Sequence, residues 1–489
     1  MTAALPVVPA PANRMRLYLL LGFSAGLPFY MFNAVLLLRL ARHDVDIVVI
    51  GFFAWIALLP TFKFAWAPLL DHYRVPGFAR FWGRRQGWIM LSQLGIFLAM
   101  VAMAFTADDS NLPLTALFAL LLAFWTTTLE VAADGWRIEL APTQADQAPL
   151  VSANLWGYRS AMVAAGSGAA LVAARADWTW AYLVIAAAAF LPFPILAAMR
   201  PEFAGTRGRA AALAQGVLVS LAIITASALA IALIGAGLLS GLRGAGFSAQ
   251  TNITPIVLGI ALLPFVALAI ALPRINRLPA AASAAMPRML APYIELFWRF
   301  GYGVLPLLAF VSIYRMGDVL TLTLSHPLWN AAGYSLEQIS MADGLVALAS
   351  SMAGVALGGL CAARLPLAVA LVIGATASAI GNWVFVWLWF AEPSALVLYV
   401  AAGVDQFGHG LAGAVFVVYL SMLVSPRHPG AQFAFLSGFA FLLPRLIGGA
   451  SGAIQKQIGY DGFFLMSGAL SLAAILLLPL VMKLRPRTI

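Results

Sequence analysis

Glu130 and Asp134 stand four residues apart in the stretch TTTLEVAADGWRIEL, and Arg137 follows three residues after Asp134. Residues three and four apart share one face of a helix, so a helix here carries two acids and a base together. Loss of solvent and a neighbouring acid favour the protonated form of one carboxyl, while an arginine holds another ionised. The pattern predicts a proton site. The alternative is a structural ion cluster at the end of a helix.

Asp405 and His409 repeat the four-residue spacing in the segment VDQFGHGLAGAV. Histidine is the side chain whose charge changes near neutral pH, so a histidine beside a carboxylate can pass a proton. We therefore predict a proton relay at this pair. The alternative is that the carboxylate only satisfies a buried histidine.

Arg315 and Asp318 lie three residues apart in FVSIYRMGDVL, and Asp343 follows early in the next apolar stretch. The apolar stretch before them predicts that Arg315 and Asp318 lie near the outer end of a membrane span. There they would form an outer gate or a binding site. Alternatively, the pair only lowers its own cost of insertion into lipid.

Three bases stand alone in apolar stretches: Lys63, Arg159 and Arg445. A base within a span needs an anion, which is either Glu130 or Asp405 on another helix or an anionic substrate.

Tyr30 and Asn33 follow the segment GFSAGLP inside the first apolar stretch. Glycine and proline interruptions in transporter helices usually line a cavity, so both residues are predicted to lie in a transport pathway.

Asp71 ends an apolar stretch and is followed by a basic loop. Together with Arg74, Arg84 and Arg85 it is typical of a cytoplasmic latch, in which a carboxylate and arginines hold one closed state. For the arginines alone, the alternative is the ordinary positive charge of cytoplasmic loops.

The composition decides the environment in which these residues act. Of 489 residues, 63% are apolar and 9% charged, and the mean hydropathy is +0.95. Such a chain needs the lipid bilayer around it, which predicts an all-α polytopic membrane protein. The net charge of +10 is scattered over short loops, which argues against nucleic acid as a partner.

Other classes of chemistry lack their residues. Cys361 is the one cysteine, and the five histidines are dispersed, so we expect no metal and no cofactor. We find no glycine loop for phosphate and no nucleophile with a base, so the chain is predicted not to be an enzyme.

Fourteen spans are predicted from the apolar stretches. They fall near 17–38, 47–69, 87–106, 112–136, 150–173, 178–199, 212–240, 253–273, 292–315, 339–362, 365–390, 394–424, 430–453 and 461–482.

The basic residues predict the orientation of these spans. With the N-terminus inside, 18 of the 28 Lys and Arg residues fall in cytoplasmic loops and 5 in the opposite loops. Because cytoplasmic loops retain positive charge during insertion, both termini are predicted to be cytoplasmic.

The segment 201–290 is predicted to be a linker that carries two additional spans. Without it, residues 1–200 and 291–489 each hold six spans, which indicates the major facilitator fold of two six-helix bundles.

Several segments resemble the AmpG muropeptide permease family of the major facilitator superfamily. They are GFSAGLPFYMF, LLPTFKFAWAPLLDHYR, GRRQGW, LEVAADGWRIEL, YRMGDVLTLTLSHP, DQFGHGLAGAVFVVYLS and AQFAFLS, and the match runs from Arg16 to Lys483. The resemblance implies a proton symporter of the bacterial inner membrane. Its substrates would be N-acetylglucosaminyl-anhydromuramyl peptides, imported from the periplasm for cell-wall recycling.

The resemblance also implies functional residues. The family's acid pair falls on Glu130 and Asp134, and its following base on Arg137. Its second-half pair falls on Arg315 and Asp318, and a binding role is implied for Gln432.

The chain departs from the family pattern at three places. It has Leu129-Glu130 where the family usually has Gln-Asp, Asp405-Gln406 where Glu-Asn is usual, and Phe433 where Tyr is usual. The alternatives are therefore an importer of another anionic solute, such as a siderophore or an acyl-CoA, and a membrane assembly factor that does not transport.

Overall fold

The computed structural model describes residues 11–46, 49–50, 53, 55–106, 110–199, 208–244, 254–279 and 286–487. Over these residues the chain consists of helices joined by short connections, without a strand. Twelve helical stretches are long and apolar enough to cross a membrane, which makes the chain a multi-pass membrane protein. They are Asn13–Arg42, Arg84–Ala104, Leu112–Leu140, Trp178–Ala198, Arg209–Gly237, Ile256–Ile275, Ala291–Ala331, Leu336–Arg364, Leu367–Phe390, Ala395–Leu423, Pro429–Gly448 and Ser451–Met482.

The first of two compact units comprises Met1–Leu140 and Trp156–Thr254. Its helices are α1 (Pro11–Tyr30), α2 (Leu36–Arg42), α3 (Ala67–His72), α4 (Phe78–Phe81), α5 (Arg84–Ala104), α6 (Leu112–Leu140), α7 (Gln144–Val163), α8 (Ala169–Arg175), α9 (Trp178–Ala189), α10 (Pro192–Ala198) and α11 (Arg209–Gly244). The first part of α7, up to Leu155, belongs to the second unit.

The second unit comprises Ala141–Leu155 and Pro255–Ile489. Its other helices are α12 (Thr254–Ile275), α13 (Ala291–Phe300), α14 (Val304–Ala331), α15 (Leu336–Met341), α16 (Ala347–Arg364), α17 (Leu367–Phe390), α18 (Ala395–Leu423), α19 (Pro429–Gly448) and α20 (Ser451–Met482). The predicted domain boundaries at 200 and 290 stay a prediction.

Two predicted spans are not among the twelve. The stretch 47–69 contains a 3-10 helix, Trp55–Ala65, around Pro60, followed by the short α3. The stretch 150–173 lies in α7 and α8, which are joined by a π-helical turn, Ala164–Gly168. Proline and π turns interrupt regular helical hydrogen bonding, and both stretches carry polar side chains. The count of fourteen spans therefore stays a prediction.

One predicted span ends in the wrong place. The span expected at 292–315 continues, because α14 runs on to Ala331. Arg315 and Asp318 consequently lie in the middle of α14 and not near its outer end. Their charges looked like the end of an apolar stretch, but the two side chains pair with each other, which lowers the cost of keeping them inside.

The same hydrogen bond recurs in both units. Arg14 Nη1 donates to the carbonyl of Leu140, the last residue of α6, at 3.1 Å. Arg299 Nη1 donates to the carbonyl of Leu423, the last residue of α18, at 3.2 Å. Each arginine satisfies a free carbonyl at the negative end of a helix. Each unit thus has an arginine that satisfies the last carbonyl of a long helix.

Hydroxyl groups also join buried helices within each unit. Ser24 of α1 donates to the carbonyl of Ala189 in α9 and accepts from Gln93 of α5. In the second unit, Ser467 of α20 donates to the carbonyl of Gly317 in α14. In lipid every polar group needs a protein partner, so these bonds fix which helices pack together.

The long apolar helix α11 contacts the first unit through one end. A Cβ atom at Gly216 would lie 2.1 Å from the ring of Phe78, and Gln215 accepts a hydrogen bond from Arg80. In the most apolar 18 residues of Arg209–Gly237 only 6% are buried, against 56% in the corresponding part of Leu112–Leu140. Most of α11 therefore offers its surface to lipid.

Helix α12 packs along one edge of the second unit. The ring of Phe265 lies 4.4 Å from that of Phe435 and 4.7 Å from that of Phe439, both in α19. In the most apolar 18 residues of α12, 22% are buried. The two additional helices thus resemble each other in exposure but belong to different units.

We expect Gly216→Ala to destabilise the protein by about 1–3 kcal/mol, because the new methyl group would overlap the ring of Phe78. The measurement is thermal unfolding of the purified protein in detergent. Gly235→Ala in the same helix is the matched control, since its Cβ would have nothing within 4 Å. Alanine is favoured over glycine in a helix by about 1 kcal/mol, so the control should be neutral or stabilising. Equal melting of both variants would contradict the packing of α11 on Phe78.

Candidate functional site

Four charged or titratable side chains meet in the second unit: Arg315 and Asp318 from α14, and Asp405 and His409 from α18. Arg315 Nη1 donates to Asp318 Oδ2. His409 Nε2 lies 3.2 Å from Asp318 Oδ1 and 3.5 Å from Asp405 Oδ1, both ion-pair distances. Asp318, Asp405 and His409 are buried, at 3%, 3% and 8% exposure. The two pairs predicted separately from the sequence therefore form one cluster, which we call the α14–α18 cluster.

Hydroxyl groups behind the cluster hold Asp318 in place. Ser378 of α17 donates to Asp318 Oδ1, and its oxygen lies 3.1 Å from that of Ser471 in α20. Asn382 Nδ2 in turn donates to Ser471 at 3.1 Å. Asp318 thus accepts hydrogen bonds from Arg315 and Ser378 and faces His409.

The sum of charges in the α14–α18 cluster depends on one proton. Arg315 carries one positive charge, whereas Asp318 and Asp405 each carry a negative charge when ionised. With neutral His409 the four residues have one net negative charge, and a single added proton makes them electroneutral. Because uncompensated charge within a bilayer is costly, the cluster is suited to taking up one proton.

The acids predicted in the first unit lie along α6. Arg137 Nη2 donates to Asp134 Oδ1 at 2.9 Å, and the Arg137 side chain is 1% exposed. Glu130 is partly exposed. The charged groups that interact with it electrostatically are Lys63 and Asp134. Lys63 stands in the 3-10 helix Trp55–Ala65, so the lone base from the sequence acts on an acid of another helix.

The predicted latch residues meet where α3, α5 and α6 end or begin. Arg85 Nη2 lies 2.7 Å from Asp71 Oδ1 and 2.8 Å from Glu139 Oε1. Arg84 also pairs with Glu139, at 2.9 Å, and donates to the main-chain carbonyl of Asp71. Arg74 is exposed and forms no ion pair with the described residues. Glu139 stands in the segment TTTLEVAADGWRIEL, but nothing in its spacing marked it as a further member of this group.

The remaining predicted residues lie in two other places. Tyr30, at the end of α1, lies 6.2 Å from Tyr158 of α7 between ring centroids, and both contact Phe29. Asn33 falls in the π-helical turn Met31–Val35, and Arg159 is partly exposed beside Tyr158.

Gln432 is fully buried at the start of α19. Its side-chain oxygen accepts from the amide of Ser425, and its nitrogen donates to the carbonyl of Pro292. These contacts hold α19 to the beginning of α13, and the binding role implied for Gln432 stays a prediction.

No metal site is found among the residues that the structure describes: no group of three or more His, Cys, Asp and Glu side chains could hold an ion.

The architecture matches solved transporters. Among these are the proton:xylose symporter XylE bound to 6-bromo-6-deoxy-D-glucose, with a TM-score of 0.61 and 13% identity, and the human organic anion transporter MFSD10, with a TM-score of 0.58 and 14% identity. The alignments cover 98% of this chain and 97% of XylE, and 96% of this chain and 100% of MFSD10. The chain therefore has the major facilitator fold.

In amino-acid sequence the chain is similar to transporters of the AmpG type. It is 24% identical over 461 residues to the putative transporter AmpG 4 of Rickettsia conorii, covering 94% of each chain. It is 22% identical over 467 residues to the anhydromuropeptide permease of Escherichia coli, covering 95% of this chain and 79% of the permease. No family model matches. The resemblance seen in the motifs is confirmed. The relatives are permeases, which also confirms the prediction that the chain is not an enzyme.

We expect Asp318→Asn to destabilise the second unit by about 3–5 kcal/mol, because it leaves Arg315 without its carboxylate partner in a buried position. The double variant Arg315→Gln/Asp318→Asn removes both charges and should recover most of this loss. Thermal unfolding in detergent gives the comparison, with Glu337→Gln at an exposed acid as control. A double variant less stable than Asp318→Asn would show that the charge pair is not what holds this position.

Proposed function

We propose that this AmpG-type permease imports anhydromuropeptides from the periplasm to the cytoplasm together with protons, by alternating access. The observation that carries the proposal is the α14–α18 cluster, where Arg315, Asp318, Asp405 and His409 share one proton-dependent charge balance. The name of the Escherichia coli relative supports the substrate class.

The cluster gives a physical reason for coupling. A binding site can turn from one side of a membrane to the other at lower cost when it holds no net charge. The four residues meet this condition when His409, which lies beside Asp405, holds one proton. The proton is then carried inward and released where its concentration is lower.

A second proposed proton site lies in the first unit at Glu130 and Asp134. Arg137 occupies Asp134 through a 2.9 Å ion pair, so Glu130 is the acid of this pair left to exchange a proton. Lys63, which acts on Glu130, competes with that proton because both neutralise the same carboxylate.

Tyr30, Asn33 and Arg159 are proposed to contact the solute in the first unit. Partly exposed tyrosine rings offer flat apolar faces with a polar edge, which suits a sugar ring. The residues Asp71, Arg84, Arg85 and Glu139 are proposed as the latch whose ion pairs form and break between the two access states.

The membrane orientation is also a proposal. We place the protein in the bacterial cytoplasmic membrane with both termini inside and fourteen spans. Two further stretches would each add one span to the twelve apolar helices and so give fourteen. They are Trp55–Ala65 with α3, and α7 with α8. The positive charge of alternate loops supports this orientation.

Uptake of a labelled N-acetylglucosaminyl-anhydromuramyl peptide into proteoliposomes tests the proposal. An imposed pH gradient, acid outside, should drive accumulation above the external concentration. Accumulation of a siderophore or an acyl-CoA, but not of the muropeptide, would show that the substrate class is wrong. Absence of uptake for every solute would favour a protein that does not transport.

We expect His409→Gln to abolish uphill uptake while leaving counterflow exchange of the same solute. Glutamine keeps a polar side chain near Asp318 but cannot take up a proton, so the coupling is lost and the pathway remains. His326→Gln is the matched control, because His326 also faces a carboxylate, Asp343 at 3.6 Å, but is 47% exposed. Full uphill uptake by His409→Gln would contradict the proposed coupling site.

A further inference from the structure

A chain of three polar side chains ends at the carboxylate of Asp318. Asn382 of α17 donates from Nδ2 to Ser471 Oγ of α20 at 3.1 Å. The oxygen of Ser471 lies 3.1 Å from that of Ser378 in α17, and Ser378 donates to Asp318 Oδ1. The three polar side chains are at most 1% exposed. In lipid such groups need protein partners, and here the last partner is a charged one.

Gly317 leaves the space that this chain of hydrogen bonds occupies. A Cβ atom at Gly317 would overlap Ser471 Oγ and would lie 2.9 Å from Asn382 Nδ2. A larger residue would therefore push the polar groups of α17 and α20 away. The residue directly before Asp318 thus allows two other helices to bring their polar side chains up to it.

The hydrogen atoms of this chain all point towards Asp318. An ionised carboxylate only accepts hydrogen bonds, so the single hydroxyl hydrogen of Ser378 is used on Asp318. The bond between Ser378 and Ser471 must then use the hydrogen of Ser471, whose oxygen in turn accepts from Asn382. Hydrogen bonds in such a chain polarise one another. Ser471 and Asn382 therefore strengthen the donor that Ser378 offers to Asp318.

Ser378 and His409 share one oxygen of Asp318. Ser378 donates to Oδ1, and His409 Nε2 lies 3.2 Å from the same atom, whereas Arg315 donates to Oδ2. When His409 is protonated, a cation supplies both charge and a hydrogen bond to Oδ1. When His409 is neutral, Oδ1 depends mainly on Ser378. The Ser378 hydrogen bond therefore stabilises the cluster more before proton uptake than after it.

We infer that Ser378, supported by Ser471 and Asn382, sets the pH at which the α14–α18 cluster takes up its proton. The inference rests on the proposed function, in which His409 carries that proton. Ser378 is a positioning residue, since it acts on the proton through Asp318. Because its hydrogen bond stabilises the cluster without the proton, the proton is bound less tightly and is released more easily.

The charged groups that act on the shared proton come from α14 and α18. The strongest electrostatic partners of Asp318 are His409 and Arg315, and those of His409 are Asp318 and Asp405. Tyr314, four residues before Asp318 in α14, also interacts with it. Helix α17 packs on both α14 and α18 but carries no Asp, Glu, His, Lys, Arg, Cys or Tyr. It therefore acts on the proton only through neutral donors.

The other helices packed against α14 and α18 also carry charged side chains. Asp343, in the π-helical turn Ala342–Val346, pairs with His326, and Glu295 of α13 pairs with His428. The further charged residues of these helices are Arg299, Glu337, Arg364, Arg445, Lys456 and Asp461. None of these six is among the strongest electrostatic partners of Asp318 or His409.

Nuclear magnetic resonance of the full-length protein in lipid nanodiscs, with isotope-labelled histidine, tests the inference directly. The chain has five histidines, and the resonance lost in His409→Gln identifies His409. In Ser378→Ala its pH midpoint should rise by about one unit, which is an about tenfold gain in proton affinity. Ser471→Ala removes only the second donor and should raise the midpoint by less. Ser378→Cys, whose thiol is a weaker donor, should give an intermediate rise.

Ser312→Ala is the matched control. Ser312 of α14 is also 1% exposed, but it donates to the uncharged carbonyl of Phe439 at 3.3 Å. The same change of side chain should therefore leave the midpoint of His409 unaltered. The resonance of His326, which is 47% exposed, is the internal reference and should stay unchanged in every variant.

The outcomes separate this inference from the proposed function. A higher midpoint in Ser378→Ala, together with a wild-type protein that takes up no muropeptide, would refute the proposed function and leave the inference standing. If Ser378→Ala does not fold, a rise in Ser378→Cys and Ser471→Ala supports the inference. Muropeptide uptake by the wild type with an unchanged or lower midpoint in the folded variants, or an equal rise in Ser312→Ala, would overturn the inference alone. A His409 resonance that does not change between about pH 5 and pH 9 would overturn both.

Discussion

The carboxylate of Asp318 is the point on which the second unit depends. A lone charge at this depth would cost several kcal/mol, so it persists because Arg315, Ser378 and His409 surround it. Two of these neighbours are cations when His409 is protonated and one when it is not. Binding of a proton to His409 therefore changes the charge that surrounds the Asp318 carboxylate.

Further hydrogen bonds from neighbouring helices keep the Asp318 carboxylate in place. Ser471 and Asn382 extend its hydrogen bonds to α20 and α17, so three helices converge on one group. In the first unit the ion pair of Asp134 with Arg137 leaves Glu130 as the acid near Lys63. Each unit therefore contains its own acid with a basic partner, although the two arrangements use different residues and spacings.

The sequence predicted what depends on residues near one another along the chain. Apolar stretches located all twelve helices of the described residues that are long and apolar enough to cross a membrane. Spacings of three and four found both the Arg315–Asp318 pair and the Asp405–His409 pair. Their union into one cluster depends on how α14 and α18 both pack on α17, which no local spacing reveals. The charged pair also hid the true end of α14, since a self-neutralised pair inside a span resembles the edge of one.

The central claim is that solute and proton move inward together, and proton movement caused by solute alone tests it most directly. Proteoliposomes are loaded with a pH-sensitive dye at equal internal and external pH, and the anhydromuramyl peptide is added outside. The account predicts acidification of the lumen that follows solute uptake in time and amount. Uptake of the labelled peptide without any change in internal pH would contradict it.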